Sequence, residues 1–267
     1  MSGVTDDRPE LGPPSLPAPG ERWALMLDVD GTLLDFALRP ELVRVDTLLH
    51  MHLGWLAGAL DGALALVSGR RTSDLARLFA PLPLEYVGLH GLEHLHADGR
   101  HEQLWQEDAE QTRRLHGAAD RVAADLRGVR VEYKGPSVAL HCREAPAQMG
   151  PMRVAASALA ASLPGYVLLE GYEVCELKPA LADKGVAVHA LMREPAFAGR
   201  RPVYVGDDHT DTPALKAVRD AGGIAVAVGS RVAGSATHVL ACPGAVRAWL
   251  AELARPGPRM GRPGIGP

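Results

Sequence analysis

The stretch Ala24-Leu25-Met26-Leu27-Asp28-Val29-Asp30-Gly31-Thr32-Leu33-Leu34 decides how the rest of the chain is read. Leu25, Met26 and Leu27 are the unbroken apolar run expected of a parallel strand covered on both faces, and Asp28, Asp30 and Gly31 end it. Charge is thereby delivered to the carboxyl end of a strand, the edge at which open α/β sheets bind ligands. Residues two apart in an extended segment point to the same side, so Asp28 and Asp30 can face one ligand. Such a pair suits phosphoryl transfer. Asp28 would attack phosphorus and carry the group as an aspartyl phosphate, while Asp30 protonates the leaving alkoxide and then activates water. Read alone, Asp-Gly is equally turn chemistry, with glycine supplying a positive φ.

The chain has 267 residues, 47% of them hydrophobic, enough to bury a large core in one or two domains. No run approaches the ~20 apolar residues that span a bilayer, so no membrane partner is expected. Residues 1–20 carry Asp6, Asp7, Glu10 and five prolines without a basic start or an apolar stretch. They read as a disordered tail rather than a secretory signal, as do residues 255–267. The three cysteines, Cys142, Cys175 and Cys242, lack metal-ligand spacing and read as buried apolar fillers in a cytoplasmic protein. A net charge of -4 argues against nucleic acid as a partner.

Beyond the opening motif, 41–60 has helical spacing, and Ala63 to Val67 reads as a second buried strand ending in Ser68-Gly69-Arg70. A hydroxyl and backbone N–H groups at a strand top, beside a helix start, make a phosphate cradle of Ser68 and Gly69 or an ordinary helix cap. His90, His94, His96 and His101 crowd the following segment. A zinc site is rejected there, because no Cys or further acidic ligand in the sequence completes a tetrahedral set. Ala97-Asp98-Gly99-Arg100 signals a hairpin turn. A block of pattern β, α, ββ, α, ββ follows, with helices over about 106–126 and 148–163, and reads as an inserted cap. The expected organisation is a core over 21–96 and 179–254 interrupted by an α/β cap over 97–178.

The core resumes at Asp183-Lys184-Gly185. A lysine in a helix's first turn opposes the helix dipole, an effect that a bound anion reverses; otherwise Lys184 is a solvated surface lysine. Pro202-Val-Tyr-Val-Gly-Asp-Asp-His-Thr-Asp-Thr212 then repeats the opening design, adding Asp207, Asp208 and Asp211. Five carboxylates at one sheet edge repel, each contact near 4 Å costing about 4 kcal/mol at an effective dielectric of 20. A divalent cation is implied, and an all-oxygen ligand set selects Mg2+.

Asp28-Val-Asp-Gly-Thr32, the strand-closing Ser68, Lys184 and Gly206-Asp-Asp-His-Thr-Asp211 resemble, in order, the four motifs of haloacid dehalogenase (HAD) superfamily phosphatases. The resemblance implies an HAD-like Rossmannoid parallel-sheet core, α/β in class, with the smaller α/β cap inserted. It implies a phosphate site at Ser68 and Lys184, a Mg2+ site of Asp28, the backbone carbonyl of Asp30 and Asp207, and Asp208 and Asp211 beside it. With Gly88-Leu-His-Gly-Leu-Glu93, Val131-Glu-Tyr-Lys134, Ser137 to Arg143 and Glu176-Leu-Lys-Pro179, the chain from Trp23 to Leu253 resembles the trehalose-6-phosphate phosphatase family. Thr212 stands where that family usually has an acid, and Asp183 where it commonly has asparagine. The resemblance implies a small-molecule sugar phosphate substrate whose hydroxyls are read by Lys134, His141, Arg143, Glu176 and Lys178. Alternatives are a phosphatase of another sugar phosphate such as sucrose 6-phosphate, a hexose phosphate mutase and a non-catalytic sugar-phosphate sensor. A receiver-like signalling domain is disfavoured by Asp30 and by the cap.

Overall fold

The computed structural model describes residues 9–35, 43–103, 105, 108–171 and 173–255. The tail residues 1–8 and 256–267, and the helix starts read at 41 and 106, lie outside them. The chain divides into two units, Met1–His101 with Lys184–Pro267, and Glu102–Asp183.

In chain order, the larger unit begins with β1 (Glu10–Leu11), β2 (Trp23–Leu27), α1 (Thr47–Ala59), β3 (Leu64–Val67), α2 (Thr72–Leu78), β4 (Glu85–Gly88) and β5 (Glu93–Leu95). A short strand, β6 (His101–Gln103), leads into the smaller unit: α3 (Ala109–Asp125), β7 (Arg130–Lys134), β8 (Ser137–His141), α4 (Met149–Ser162), β9 (Tyr166–Gly171) and β10 (Val174–Pro179). The chain then forms α5 (Lys184–Leu191), β11 (Arg201–Gly206), α6 (Thr212–Asp220), β12 (Ile224–Val228), β13 (His238–Leu240) and α7 (Pro243–Leu253). Among the described residues no helix is long and apolar enough to cross a membrane.

The large sheet has the order β1-β13-β12-β11-β2-β3-β4-β5-β6. From β1 to β4 its described pairings are parallel, and β4 and β5 are antiparallel. Every residue of β2 is buried, as the unbroken Trp-Ala-Leu-Met-Leu run requires. The chain builds outward from β2 through β3 and β4, then returns to place β11 on the other side of β2. The strand order therefore reverses between β2 and β11, and their carboxyl ends, Leu27 and Gly206, lie at the same edge. α1 packs on α7, burying Leu49, Leu53 and Leu56 with Val246, Trp249 and Leu250; α5 packs on α6.

Three local readings are corrected. Residues 9–20 are not all tail: Glu10–Leu11 pair in parallel with His238–Val239, a two-residue strand too short to leave a periodic pattern. Residues 43–46 of the helix read over 41–60 are not helical and α1 starts at Thr47, because the Asp46 carboxylate accepts the Leu49 N–H at 2.8 Å and sets the helix start. Cys142 and Cys175 are buried, but Cys242 is exposed, since it is the extended residue before Pro243 at the start of α7.

In the smaller unit the sheet order is β7-β8-β10-β9, all antiparallel. Val138, Leu140, Cys175 and Leu177 alternate onto one face and form a core with Leu115 and Ala119 of α3 and Met152 and Ala156 of α4. The register pairs Glu132 with Ala139 and Ala139 with Glu176. The opposite face therefore carries Glu132, Lys134, His141, Glu176 and Lys178 together.

Candidate active site

Asp28 follows β2 directly, its N–H donating to Val205 O at 2.9 Å, so the first acid is pinned beside the strand that delivers Asp207. After Val29 the chain curls: the N–H groups of Leu33 and Leu34 both donate to Val29 O at 2.9 Å, and Gly31 takes a φ of +87°. Glycine is required there twice over. Its backbone is left-handed, and an added Cβ would lie 2.5 Å from Asp207 Oδ2. Gly31→Ala is accordingly expected to displace the Asp207 carboxylate and to strain the turn by about 1–3 kcal/mol. Cation titrations monitored by activity should show a weakened midpoint in a chain that still melts cooperatively. An unchanged midpoint would mean that Asp207 does not serve the cation.

Three carboxylates, Asp28, Asp207 and Asp211, bring oxygens within 4.8 Å of one another, all of them buried. Lys184, in the first turn of α5, is 2% exposed; its Nζ donates to Asp28 Oδ1 at 2.6 Å and to Asp211 Oδ1 at 2.7 Å. It is no solvated surface lysine. Burial alone would push the Lys184 ammonium down, but Asp211 and Asp28 hold it well above its ordinary value, so it stays charged. One ammonium does not balance three acids. Burial, then Asp211, raises Asp28 well above the carboxylate range against the pull of Lys184, and the same two causes raise Asp207 to about 6. The cluster draws in positive charge, and its donors are all oxygen. These residues fit a hard divalent cation.

Asp211 is fully engaged by the protein. Oδ1 also accepts the Tyr204 hydroxyl at 2.7 Å, and Oδ2 accepts the N–H groups of Asp207 and Asp208 at 3.0 Å each. Burial, then Asp211, pushes the Tyr204 phenol well up, so it remains a donor. Asp211 is thus built to orient Lys184 and the Asp207 backbone.

The two remaining acids have partners that spacing along the chain does not reveal. Asp30 is gripped by Arg70, whose Nε and a terminal nitrogen donate to its two oxygens at 2.6 and 2.7 Å. Asp208 Oδ1 accepts from Arg231 at 2.7 Å. Sequence spacing brought five acids to one edge; the fold keeps three together and gives each of the others an arginine. Arg70 was visible as the last residue of Ser68-Gly69-Arg70, but nothing in the spacing ties it to Asp30.

Ser68 closes β3, and its Oγ accepts the Arg70 N–H at 3.2 Å. The loop is held from the far side by Leu89 N–H to Arg70 O and His90 N–H to Ser68 O. A Cβ on Gly69 would meet the His90 ring at 2.6 Å. Glu93 accepts both the N–H and the hydroxyl of Thr72 at 3.0 Å, tying β5 to the first residue of α2. The Gly88-to-Glu93 motif therefore braces the Ser68 loop within the larger unit.

In the smaller unit, Lys134 Nζ donates to Glu176 Oε2 at 3.0 Å and His141 Nε2 meets Glu132 Oε2 at 2.9 Å. Lys178 Nζ donates to Ala182 O, and Arg143 lies two residues beyond the end of β8. The structure thus brings Lys134, His141, Glu176 and Lys178 onto one polar face. Glu132 joins them through the β7–β8 register, which spacing along the chain does not reveal.

Residues 26–241 match the Trehalose-phosphatase family. The chain is 39% identical over 237 residues to a probable trehalose-phosphate phosphatase of Sinorhizobium fredii, covering 88% of each. It is 34% identical over 229 residues to the trehalose-6-phosphate phosphatase of Escherichia coli, covering 86% of this chain and 85% of that protein. Among solved structures, the C-terminal domain of a Candida albicans trehalose-6-phosphate phosphatase superposes with a TM-score of 0.78 at 20% identity, over 88% of this chain and 92% of that one. A haloacid dehalogenase-like hydrolase from Bacteroides thetaiotaomicron shares the fold with a TM-score of 0.65 at 17% identity, over 88% and 98%. The acidic strand ends, the buried lysine between them and these relatives agree: the chain belongs to the trehalose-phosphatase family and is a phosphatase of HAD-like fold.

Proposed function

We propose that the protein hydrolyses trehalose 6-phosphate to trehalose and phosphate in trehalose biosynthesis, through an aspartyl phosphate on Asp28 and with Mg2+ as the cation. The observation that carries the reading is the buried Lys184 spanning Asp28 and Asp211, which supplies fixed positive charge where phosphoryl oxygens would arrive. Asp28 Oδ attacks phosphorus, and the bond from phosphorus to the sugar oxygen breaks. Asp30 gives its proton to that oxygen, then takes one from a water that attacks the same phosphorus and frees Asp28. For this Asp30 leaves its Arg70 contacts, takes up a proton from solvent and turns to the substrate oxygen, and the proton it later takes from the attacking water restores it for the next cycle. The Ser68 hydroxyl, the Gly69 backbone N–H and Lys184 bind the phosphoryl group. Asp28, the backbone carbonyl of Asp30 and Asp207 would hold Mg2+, which shields the phosphoryl charge when bound. Asp208 and Asp211 lie beside this ligand set. Lys134, His141, Arg143, Glu176 and Lys178 read the sugar hydroxyls.

Phosphate release from a panel of sugar phosphates, with Mg2+ and then with chelator, tests the reading. Trehalose 6-phosphate should lead, and chelator should stop the reaction. A smaller sugar leaves buried polar groups unpaired at about 1–3 kcal/mol each, so two such groups predict about 10²-fold discrimination against glucose 6-phosphate in kcat/KM. Glu176→Ala should lower kcat/KM for trehalose 6-phosphate and leave a small aryl phosphate nearly unaffected. Equal turnover of glucose 6-phosphate or sucrose 6-phosphate by the parent enzyme would remove the trehalose assignment and leave the phosphatase one.

A further inference from the structure

The histidines set aside in the sequence for want of an acidic ligand acquire one in the fold. β4 and β5 are antiparallel with Tyr86 opposite Leu95 and Val87 opposite His94, so one step further along Glu85 faces His96. Glu85, His94 and His96 consequently project from the same face. Glu85 Oε2 lies 2.6 Å from His94 Nε2 and 3.1 Å from His96 Nδ1. The imidazole side chains are 5% and 4% exposed and the carboxylate 13%, which leaves an entry path on the Glu85 side. The other carboxylate oxygen, Oε1, accepts the Ala97 N–H at 3.1 Å, fixing the orientation of Oε2.

We propose that Glu85, His94 and His96 form a zinc site, separate from the catalytic carboxylates, with water as the fourth ligand. Two imidazole nitrogens and one carboxylate oxygen are a borderline donor set that suits Zn2+ and not Mg2+. Tetrahedral Zn2+ bonds of about 2.0–2.1 Å require ligand atoms about 3.3 Å apart. The hydrogen-bonded cluster is thus tighter than the metal needs by less than about 1 Å, and the partly exposed Glu85 carboxylate can withdraw by that amount. The two rings have centroids 3.8 Å apart and planes at 31°, and they would have to open further for both nitrogens to reach one ion. A competing cation is Arg100, exposed on the 97–100 turn with a terminal nitrogen 3.3 Å from His96 Nδ1, and Zn2+ binding would have to displace that contact. Bound Zn2+ would staple β4 to β5 on either side of the Leu89–Gly91 turn that braces the Ser68 loop.

The test uses the full chain, stripped of metal and held in saturating Mg2+, with Co2+ as a spectroscopic probe. Intense tetrahedral d–d bands without thiolate charge transfer, saturating at one Co2+ per chain and lost on adding one equivalent of Zn2+, are expected. His94→Gln and His96→Gln should each weaken Zn2+ binding by about 100-fold, whereas Asp207→Asn should retain it. Weak octahedral bands in the parent protein overturn the proposal even if the histidine variants fail to fold. Absence of Zn2+ uptake under Mg2+ does the same, as does uptake that survives both histidine substitutions and vanishes in Asp207→Asn. None of these results bears on the phosphatase reading, which rests on other residues.

Discussion

Asp28→Asn should give a folded chain with essentially no phosphate release. Asparagine is close in shape to aspartate, and Asp28 is buried among acids that already raise its pKa, so neutralising it relieves repulsion. Its loss removes the hydrogen-bonded ion pair to Lys184, which keeps Asp211 as a partner. The fold should therefore melt close to the parent. Chemistry has no such substitute, because an amide neither attacks phosphorus nor ligates a cation well. Uncatalysed monoester hydrolysis needs up to ~10²¹-fold acceleration, and losing a nucleophile from a cooperating set typically removes about 10⁴-fold or more. Steady-state phosphate release beside a thermal melt decides the matter, and mass spectrometry should find no phosphorylated chain. Turnover within a few-fold of the parent would end the assignment of Asp28 as nucleophile.

Lys184→Met should damage both stability and turnover. Methionine fills most of the lysine's volume, so packing changes little, and the effect isolates the charge. Asp28 and Asp211 would be left in the interior without their shared ammonium. Breaking a buried ion pair by removing one partner costs about 3–5 kcal/mol. Asp211 keeps Tyr204 and two backbone N–H donors, so the larger share falls on Asp28. Denaturant melts without a divalent cation should show the full loss, and saturating Mg2+ should restore part of it. A variant as stable as the parent in chelator would mean that Lys184 does not act as the counterion of these acids.

The residues that reached the site from sequence alone are those whose chemistry coincides with a break in local pattern. Asp28 and Asp207 each end an apolar strand, and Lys184 opens a helix where a cation is unfavourable. The parallel core followed from the same runs, because a strand buried on both faces has little alternation to misread. What escaped depends on pairing between distant segments. Arg70 and Asp30 are 40 positions apart, and Arg231 and Asp208 are 23 apart; neither separation has a period. Glu85 completes the His94 and His96 cluster only through the β4–β5 register, which spacing along the chain does not contain. Glu132 shares the polar face of the smaller sheet because β7, β8 and β10 align, whereas in sequence it is one more exposed acid. β1 was missed for the opposite reason: two residues carry no pattern.

That two-residue strand also bears on how the sheet edge is protected from pairing with another chain. An extended parallel sheet with an open margin is a template on which a second chain can add, the first step towards fibrous aggregation. Here Glu10–Leu11 occupies the margin beside β13, and Gly12, at a φ of +117°, turns the chain after a last N–H bond to Val239 O. Pro13 and Pro14 follow with no N–H to offer, and Glu10 sets a charge 3.5 Å from His238. The rung offered to a newcomer is two residues long, charged and flanked by proline. Among the described residues, the sheet that gathers the phosphatase's acids thus offers a second chain little to pair with on this side.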